Sequence, residues 1–439
     1  MTRAYAKHYQ EVRVRFGSMA RRNHRIGSCA AALAGIAVGL LMAVVVPAVA
    51  ADPFRDFLES LWPEAEAQGV SRATFDAAFR GLTPDLSLPD LIIPGRKRDD
   101  SAGQAEFTKS ALEYLNPKYL ASLAVQGRKF LKEHERDILN IEKNTGVDRY
   151  IMVAIWGRET AYGSHKLPHD AIRVLATQAY TGRRKDEFRL EILAALKMLQ
   201  AGVPRAKMRA SWAGAVGLTQ FMPTEYFKHL EDGDGDGKAD IFDSVPDALG
   251  SAARQLANKG WVRDVRWGHE VRMPQGGDCS LEGPPGERTI GEWQKLGFAR
   301  TGGTPFRPEE ADIRAYLMMP SGAYGPGFLA TENFKVIRLY NTSDLYALFV
   351  GDLADRIAGA GGFHVPAAQV AQPRTAQVKE VQERLQKLGY PMDKIDGKIG
   401  SNTRRQVGTY QKTAGLKIDC WPTEATLSHL RSNAAHAPQ

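Results

Sequence analysis

Between residues 232 and 243, Asp232, Asp234 and Asp236 alternate with glycine and are followed by Gly237, Lys238, Asp240 and Asp243. Carboxylates at the first, third and fifth positions of such a loop converge on one hard cation. Glycine at the sixth position permits the sharp turn, and the backbone carbonyl at the seventh, here that of Lys238, adds an oxygen. Close carboxylates repel one another unless a cation lies between them, so the spacing predicts an EF-hand-like calcium loop; the competing reading is a solvated acidic turn. Asp243 occupies the twelfth position, where a bidentate glutamate is usual. Asp247 is its rival as last ligand, although Ser244–Asp247 also has the form of a helix N-terminal box, in which Asp247 would only cap. Without that glutamate and without a second loop, a bound Ca2+ is expected to be structural, not the trigger of a sensor.

Glu159 is the second candidate for chemistry. It stands four residues after Ile155 and eight after Ile151, so in a helix it continues an apolar stripe and faces a core or a cleft floor. Partial desolvation there raises a carboxyl pKa, as a general acid working near neutral pH requires. Spacing alone leaves a salt bridge to Arg183 or Arg184 equally open.

The elements that must position these residues are mainly helical. Apolar residues at three- and four-residue spacing predict helices near 104–133, 134–143, 147–161, 170–180 and 185–200. An irregular stretch runs from about Trp261 to Gly327, with strand-like alternation at Val265–Met273, and helical signal returns at Phe334–Ile357. A Gly-, Ala-, Gln- and Pro-rich segment, 359–374, reads as a flexible linker. Helical periodicity resumes over 375–432, and 433–439 reads as a disordered tail.

The 439 residues allow two or three folded units, and 43% hydrophobic against 25% charged residues is ordinary for a globular chain. Of the formal net charge of +8, residues 1–50 carry +6 and the body only +2. A nearly neutral body disfavours nucleic acid as a partner. Arg21, Arg22 and Arg25 precede an apolar run from Ala30 to Val46 that ends in Pro47–Ala50, so 1–50 reads as an export signal cleaved after Ala50, with Met19 as an alternative start. The alternative is an uncleaved inner-membrane anchor. Beyond the leader only Cys279 and Cys420 remain, as one bridge or as two thiols.

Four co-linear segments, Trp156–Gly163, Ser211–Pro223, Asp247–Ala253 and Asn333–Asn341 with Tyr346, resemble the membrane-bound lytic murein transglycosylase B family over most of 54–358. The resemblance implies an α+β, mainly α, lysozyme-like catalytic domain at 51–358. It implies cleavage of the β-1,4 bond between N-acetylmuramic acid and N-acetylglucosamine in peptidoglycan, leaving 1,6-anhydromuramic ends. It places the acid on Glu159 and glycan contacts on Ser211, Gln220 and Asn341, with Tyr340, Tyr346 and, more loosely, Tyr180 as cleft tyrosines. Amides and hydroxyls pair with sugar hydroxyls and acetamides, and aromatic rings cover apolar sugar faces. Arg158, where a neutral residue is expected, departs from the family and would alter subsite contacts. A second departure is a loop between Asp243 and Asp247 that is one residue longer.

Residues 375–432 resemble the small three-helix peptidoglycan-binding domain, through Val381, Gln382, Leu385, Leu388–Tyr390, Asp396–Gly400, Tyr410, Gln411 and Leu416. Asp419-Cys420 stands where that family usually has Asp-Gly. The implied partners are peptidoglycan glycan strands in the periplasm, with wall-synthesis or secretion machinery as further partners. Two other functions compete: a wall-binding scaffold that has lost catalysis, and a hydrolytic muramidase, which needs a second carboxylate.

Overall fold

In a computed structural model of the chain, the described residues are 52–96, 109–274, 278–365 and 370–433. The leader expected at 1–50 and positions 434–439 of the expected tail lie outside them. Among the described residues no helix is long and apolar enough to cross a membrane.

Helices α1 (Pro53–Glu59), α2 (Trp62–Ala67) and α3 (Arg72–Phe79) open the chain, and α4 (Ala111–Tyr114), α5 (Pro117–Glu133), α6 (Glu135–Thr145) and α7 (Arg149–Thr160) follow. The helix predicted over 104–133 is broken at Asn116, whose side chain accepts from the N–H groups of Lys118 and Tyr119, and Pro117 takes the first helical position. Strand β1 (His169–Asp170) pairs with β2 (Arg209–Ala210), and between them run α8 (Ala171–Thr181) and α9 (Lys185–Gln200). Helices α10 (Pro223–His229) and α11 (Val245–Asn258) flank the acidic loop.

The irregular stretch folds into an antiparallel sheet of β3 (Gly268–Arg272), β4 (Arg288–Thr289), β5 (Ala299–Arg300), β6 (Arg314–Met318) and β7 (Gly327–Thr331), in the order β4-β6-β7-β3-β5, with α12 (Ile290–Lys295) beside it. Side chains alternate across a strand, and this sheet is covered on both faces. Tyr316, Met318, Phe328 and Ala330 join the helical core, whereas Ala315, Leu317 and Leu329 pack with Trp293, Cys279 and Cys420 on the other side. The helix predicted over 334–357 is two: α13 (Glu332–Tyr340) and α14 (Asp344–Ile357), the second capped by Ser343.

The final residues form three helices, α15 (Thr375–Lys387), α16 (Ser401–Thr413) and α17 (Glu424–Asn433), around Val381, Leu385, Val407, Tyr410, Leu427 and Leu430. This small domain sits against the outer face of the sheet. Cys279 and Cys420, whose pairing the sequence leaves open, form a disulfide with a Cα–Cα distance of 6.1 Å. Cys420 has φ +53°, and Gly408 faces its sulfur so closely that a Cβ would come within 2.2 Å. Cys420 thus stands in a left-handed position that favours glycine. Tyr324 Oη donates to Asp419 at 2.7 Å, and Lys412 Nζ lies 2.7 Å from Asp278. At the start of the 359–374 segment, the N–H groups of His364 and Val365 donate to Glu270 at 2.8 Å, and Phe363 packs on Phe328.

Candidate active site and acidic loop

Helix α7 starts where Asp148 accepts from the N–H groups of Tyr150 and Ile151 at 2.7 and 3.2 Å. Its stripe through Ile151 and Ile155 is buried, and Glu159, its penultimate residue, is half-buried. The helix ends there because Ala161, Tyr162 and Gly163 all take the left-handed conformation, with φ +46°, +58° and +77°. Each non-glycine residue in that region costs about 1–2 kcal/mol. Burial of the Tyr162 ring against Trp156 and Phe130 offsets the cost. The ring fits because Gly127 and Gly157 have no side chain: a Cβ on either would come within 2.6 Å of Tyr162 Oη.

Tyr346, buried on α14, donates its hydroxyl hydrogen to Glu159 Oε1 at 2.5 Å. The Tyr340 ring stacks on it, with centroids 6.5 Å apart and planes 5° from parallel, and Tyr340 Oη donates to the Thr219 carbonyl at 2.5 Å. Burial first, and then the charge of Glu159, push both phenols well above their ordinary pKa, so both remain protonated donors. Asn341 lies in the connection between α13 and α14, where its Oδ1 accepts from Ser343 N at 3.2 Å.

The segment bearing Ser211 and Gln220 is folded on itself by bridges of Val216 to Ala210 and Phe221. Ser211 Oγ accepts from Ala215 N at 3.3 Å, and Gln220, in the left-handed region at φ +56°, donates Nε2 to the Gly217 carbonyl at 3.0 Å. Thr160, next to Glu159, donates Oγ1 to the Leu218 carbonyl at 2.8 Å. Glu159, Tyr346, Tyr340 and the Leu218–Gln220 turn are thereby joined by consecutive hydrogen-bonded and stacked contacts. Tyr180 is held against Phe54 and Phe57, with ring centroids 5.2 and 5.3 Å away. Arg183 and Arg184, the rival partners for Glu159, pair with Asp90 at 2.9 and 3.6 Å.

Arg158 lies in an aromatic cage. Its guanidinium sits 5.1, 5.7 and 5.2 Å from the ring centres of Tyr114, Tyr346 and Phe349, and donates to Tyr114 Oη at 2.5 and 3.0 Å. Tyr114 and Phe349 were not singled out in the sequence, where the one signal was the unexpected charge at 158.

In the acidic loop, carboxylate oxygens of Asp232, Asp234 and Asp247 lie within 4.8 Å of one another. Asp243 lies instead 2.5 Å from Lys207 Nζ, which also holds Asp240 at 2.8 Å. Of the two rivals for the last position, Asp247 is thus the one placed with the loop aspartates. It is 2% exposed, and its two oxygens accept from Gly233 N at 2.8 Å and Asp240 N at 2.7 Å. Burial raises its pKa, backbone donors oppose this, and the charge of Asp234 adds to it. Asp236 accepts from Lys238 N at 2.8 Å. Three converging carboxylates, one of them buried, form a donor set that fits a hard cation.

The chain matches the family model described as Transglycosylase SLT domain over residues 53–355, and the model of a peptidoglycan binding domain over 374–430. It is 31% identical to membrane-bound lytic murein transglycosylase B of Escherichia coli K12 over 217 residues, 48% of this chain and 58% of that protein. It resembles two crystal structures of SltB3 from Pseudomonas aeruginosa. One is in complex with NAG-anhNAM-pentapeptide (38% identity, TM-score 0.76) and one with NAG-NAM-pentapeptide (39%, 0.77). Each match covers 86% of this chain and 99% of the other. A structure of the Escherichia coli lytic transglycosylase Slt35 in complex with calcium shares the fold at 23% identity and TM-score 0.53, covering 70% and 92% of the two chains.

Proposed function

Since the chain belongs to the SLT-domain transglycosylase family, we propose that it is a peptidoglycan lytic transglycosylase with Glu159 as its single acid and base. The observation that carries this reading is the hydroxyl of Tyr346 bound to the Glu159 carboxyl at 2.5 Å. The other residues assigned to glycan contact, Ser211, Gln220, Tyr340, Asn341, Tyr346 and Tyr180, include no second carboxylic acid.

Protonated Glu159 gives its proton to the glycosidic oxygen, which leaves as the 4-hydroxyl of N-acetylglucosamine, and positive charge develops at the muramic acid anomeric carbon. The substrate's own acetamide shields that centre. The Glu159 carboxylate then takes the proton of the muramic 6-hydroxyl, whose oxygen closes onto the anomeric carbon. Glu159 ends protonated, no water enters, and the product carries a 1,6-anhydro bond. The Tyr346 hydroxyl holds the carboxyl in one orientation and stabilises it while it is charged. Ser211, Gln220 and Asn341 bind sugar hydroxyls and acetamides, and Tyr340 and Tyr180 offer ring faces.

Asp232, Asp234 and Asp247, with Asp236 and the Lys238 carbonyl, would hold Ca2+. The ion supplies charge neutralisation and ties the loop to the start of α11. The C-terminal domain binds glycan strands, and residues 1–50 deliver the enzyme to the periplasm. Mass spectrometry of products from purified sacculi tests the activity: 1,6-anhydromuramic ends are expected, and reducing muramic ends would make the protein a hydrolase. Glu159→Gln should lower the rate at least about a hundredfold, and full activity of that variant would remove Glu159 from its role.

A further inference from the structure

Glu282 follows a single helical turn at Cys279–Leu281 and is wholly buried. Its partner comes from the other domain. Arg404, on α16 and 3% exposed, donates Nε to both Glu282 oxygens at 3.1 and 3.0 Å and a terminal nitrogen to Oε1 at 2.5 Å. Glu282 Oε1 also accepts from Met319 N at 2.9 Å, and Arg404 donates to the Ile399 carbonyl at 2.6 Å. The same Arg404 nitrogen reaches 3.7 Å from Asp344, which pairs with Arg338 at 2.9 Å. Two positive and two negative side chains from four segments therefore form one connected group.

The positions of Asp344 and Arg338 give this group its meaning. Asp344 is the first residue of α14, two before Tyr346, and Arg338 stands on α13, two before Tyr340. Tyr346 holds the Glu159 carboxyl, and Tyr340 stacks on Tyr346 and binds the Thr219 carbonyl. A charge of the C-terminal domain thus lies within ion-pair reach, 3.7 Å, of Asp344, beside the turn between the two helices that carry these tyrosines.

Resting on the reading of Glu159 as the acid, we propose that Arg404 is a positioning residue for the reaction. Through Glu282 and Asp344 it fixes the α13–α14 turn, so that the C-terminal domain is a working part of the active site as well as a grip on the wall. A displacement of a catalytic group by about 1 Å costs about a hundredfold in rate, so a loosened turn should appear in kcat before KM.

The test uses the full chain with Cys279–Cys420 oxidised, verified by thiol titration, so that the domain stays covalently attached. In Arg404→Met/Glu282→Gln the buried charges of the pair are removed together, which avoids an unpaired ion, while the glutamine oxygen still accepts from Met319 N. On a soluble, uncross-linked glycan fragment, kcat should fall about tenfold with KM within about twofold. In the Tyr346→Phe background the same pair of substitutions should have almost no further effect, because coupled residues are non-additive. Wild-type kcat in the pair variant, additive losses with Tyr346→Phe, or a fall that only tracks the folded fraction would each overturn the proposal. Wild-type cleavage and an inactive Glu159→Gln run as controls. If they fail, the reading of the enzyme fails; if they hold and the pair variant is fully active, only the role of Arg404 does.

Discussion

The Tyr346 hydroxyl gives its hydrogen to Glu159 Oε1 over 2.5 Å, joining residues 187 positions apart. The bond holds the carboxyl in one orientation beside the stacked rings of Tyr346 and Tyr340. Tyr346→Phe removes a donor to a charged acceptor, an interaction of about 1.5–3 kcal/mol, and kcat should fall about tenfold or more at neutral pH. KM should stay within about twofold, because the Tyr346 hydroxyl is buried on Glu159. A wild-type kcat in this variant would remove the hydroxyl from its role.

Calcium should raise the thermal midpoint of the wild-type protein, by about 2.7 kcal/mol of stability at a hundredfold excess over Kd. Asp232→Ala and Asp247→Asn should abolish the response. Asp243→Ala should keep it, because Asp243 is paired with Lys207. Differential scanning fluorimetry with calcium and with chelator separates the two aspartates.

Deleting residues 361–439 should do more than weaken retention on sacculi, which is all that a freely tethered module would predict. It strips Arg404 from the wholly buried Glu282 and leaves Cys279 unpaired. It also takes Cys420 and Ile418 away from the apolar cluster of Trp293, Leu317 and Leu329, and each large apolar side chain re-exposed costs about 1.5–3 kcal/mol. Urea unfolding of the truncated chain should show a loss of at least this size, and an unchanged midpoint would contradict it.

Acid should destabilise the sheet through His269, which is 3% exposed, with Phe306 edge-on to its ring and Glu310 at 3.7 Å. Burial pushes this histidine down to about 4, against the attraction of Glu310. The folded state therefore binds its proton less readily than the unfolded chain, whose histidine titrates near 6.5. Its contribution to stability is present above about 6.5 and is lost as pH falls toward 4. Chemical denaturation at stepped pH should show this slope, and His269→Phe should flatten it.

The sequence was most informative where spacing is local. The alternating aspartates and the Ile151–Ile155–Glu159 stripe describe their own surroundings, and α7 and the acidic loop fall where these patterns put them. Legibility ends where distant segments meet. Asp247 joins the loop because α11 packs its first turn against Gly233, where a Cβ would lie 2.1 Å from the Pro246 carbonyl oxygen. No pattern in residues 244–247 expresses that. The helix expected to continue through Ala161 stops because the Tyr162 ring fills the hollow at Gly127 and Gly157. The places given to Ser211, Gln220 and Asn341 came from family likeness, since a lone amide or hydroxyl has no periodicity. The contact of Arg404 with Glu282 spans 122 residues, and the disulfide spans 141; neither has a local signature.

The disulfide also sets an order of events during biosynthesis. Its covalent ring encloses the last four strands of the large sheet, both tyrosine-bearing helices and the first two helices of the small domain. Cys279 emerges from the ribosome with most of that sheet still unmade, and its partner follows every segment from which Glu159, Tyr340 and Tyr346 come. Ring closure therefore requires that the sheet-bearing segment and the small C-terminal domain have met. Glu159, Tyr340 and Tyr346 are themselves joined by hydrogen bonds and stacking, so the ring secures the small domain, not the site directly. Until that bond closes, only non-covalent contacts such as Arg404 with Glu282 join the small domain to the sheet.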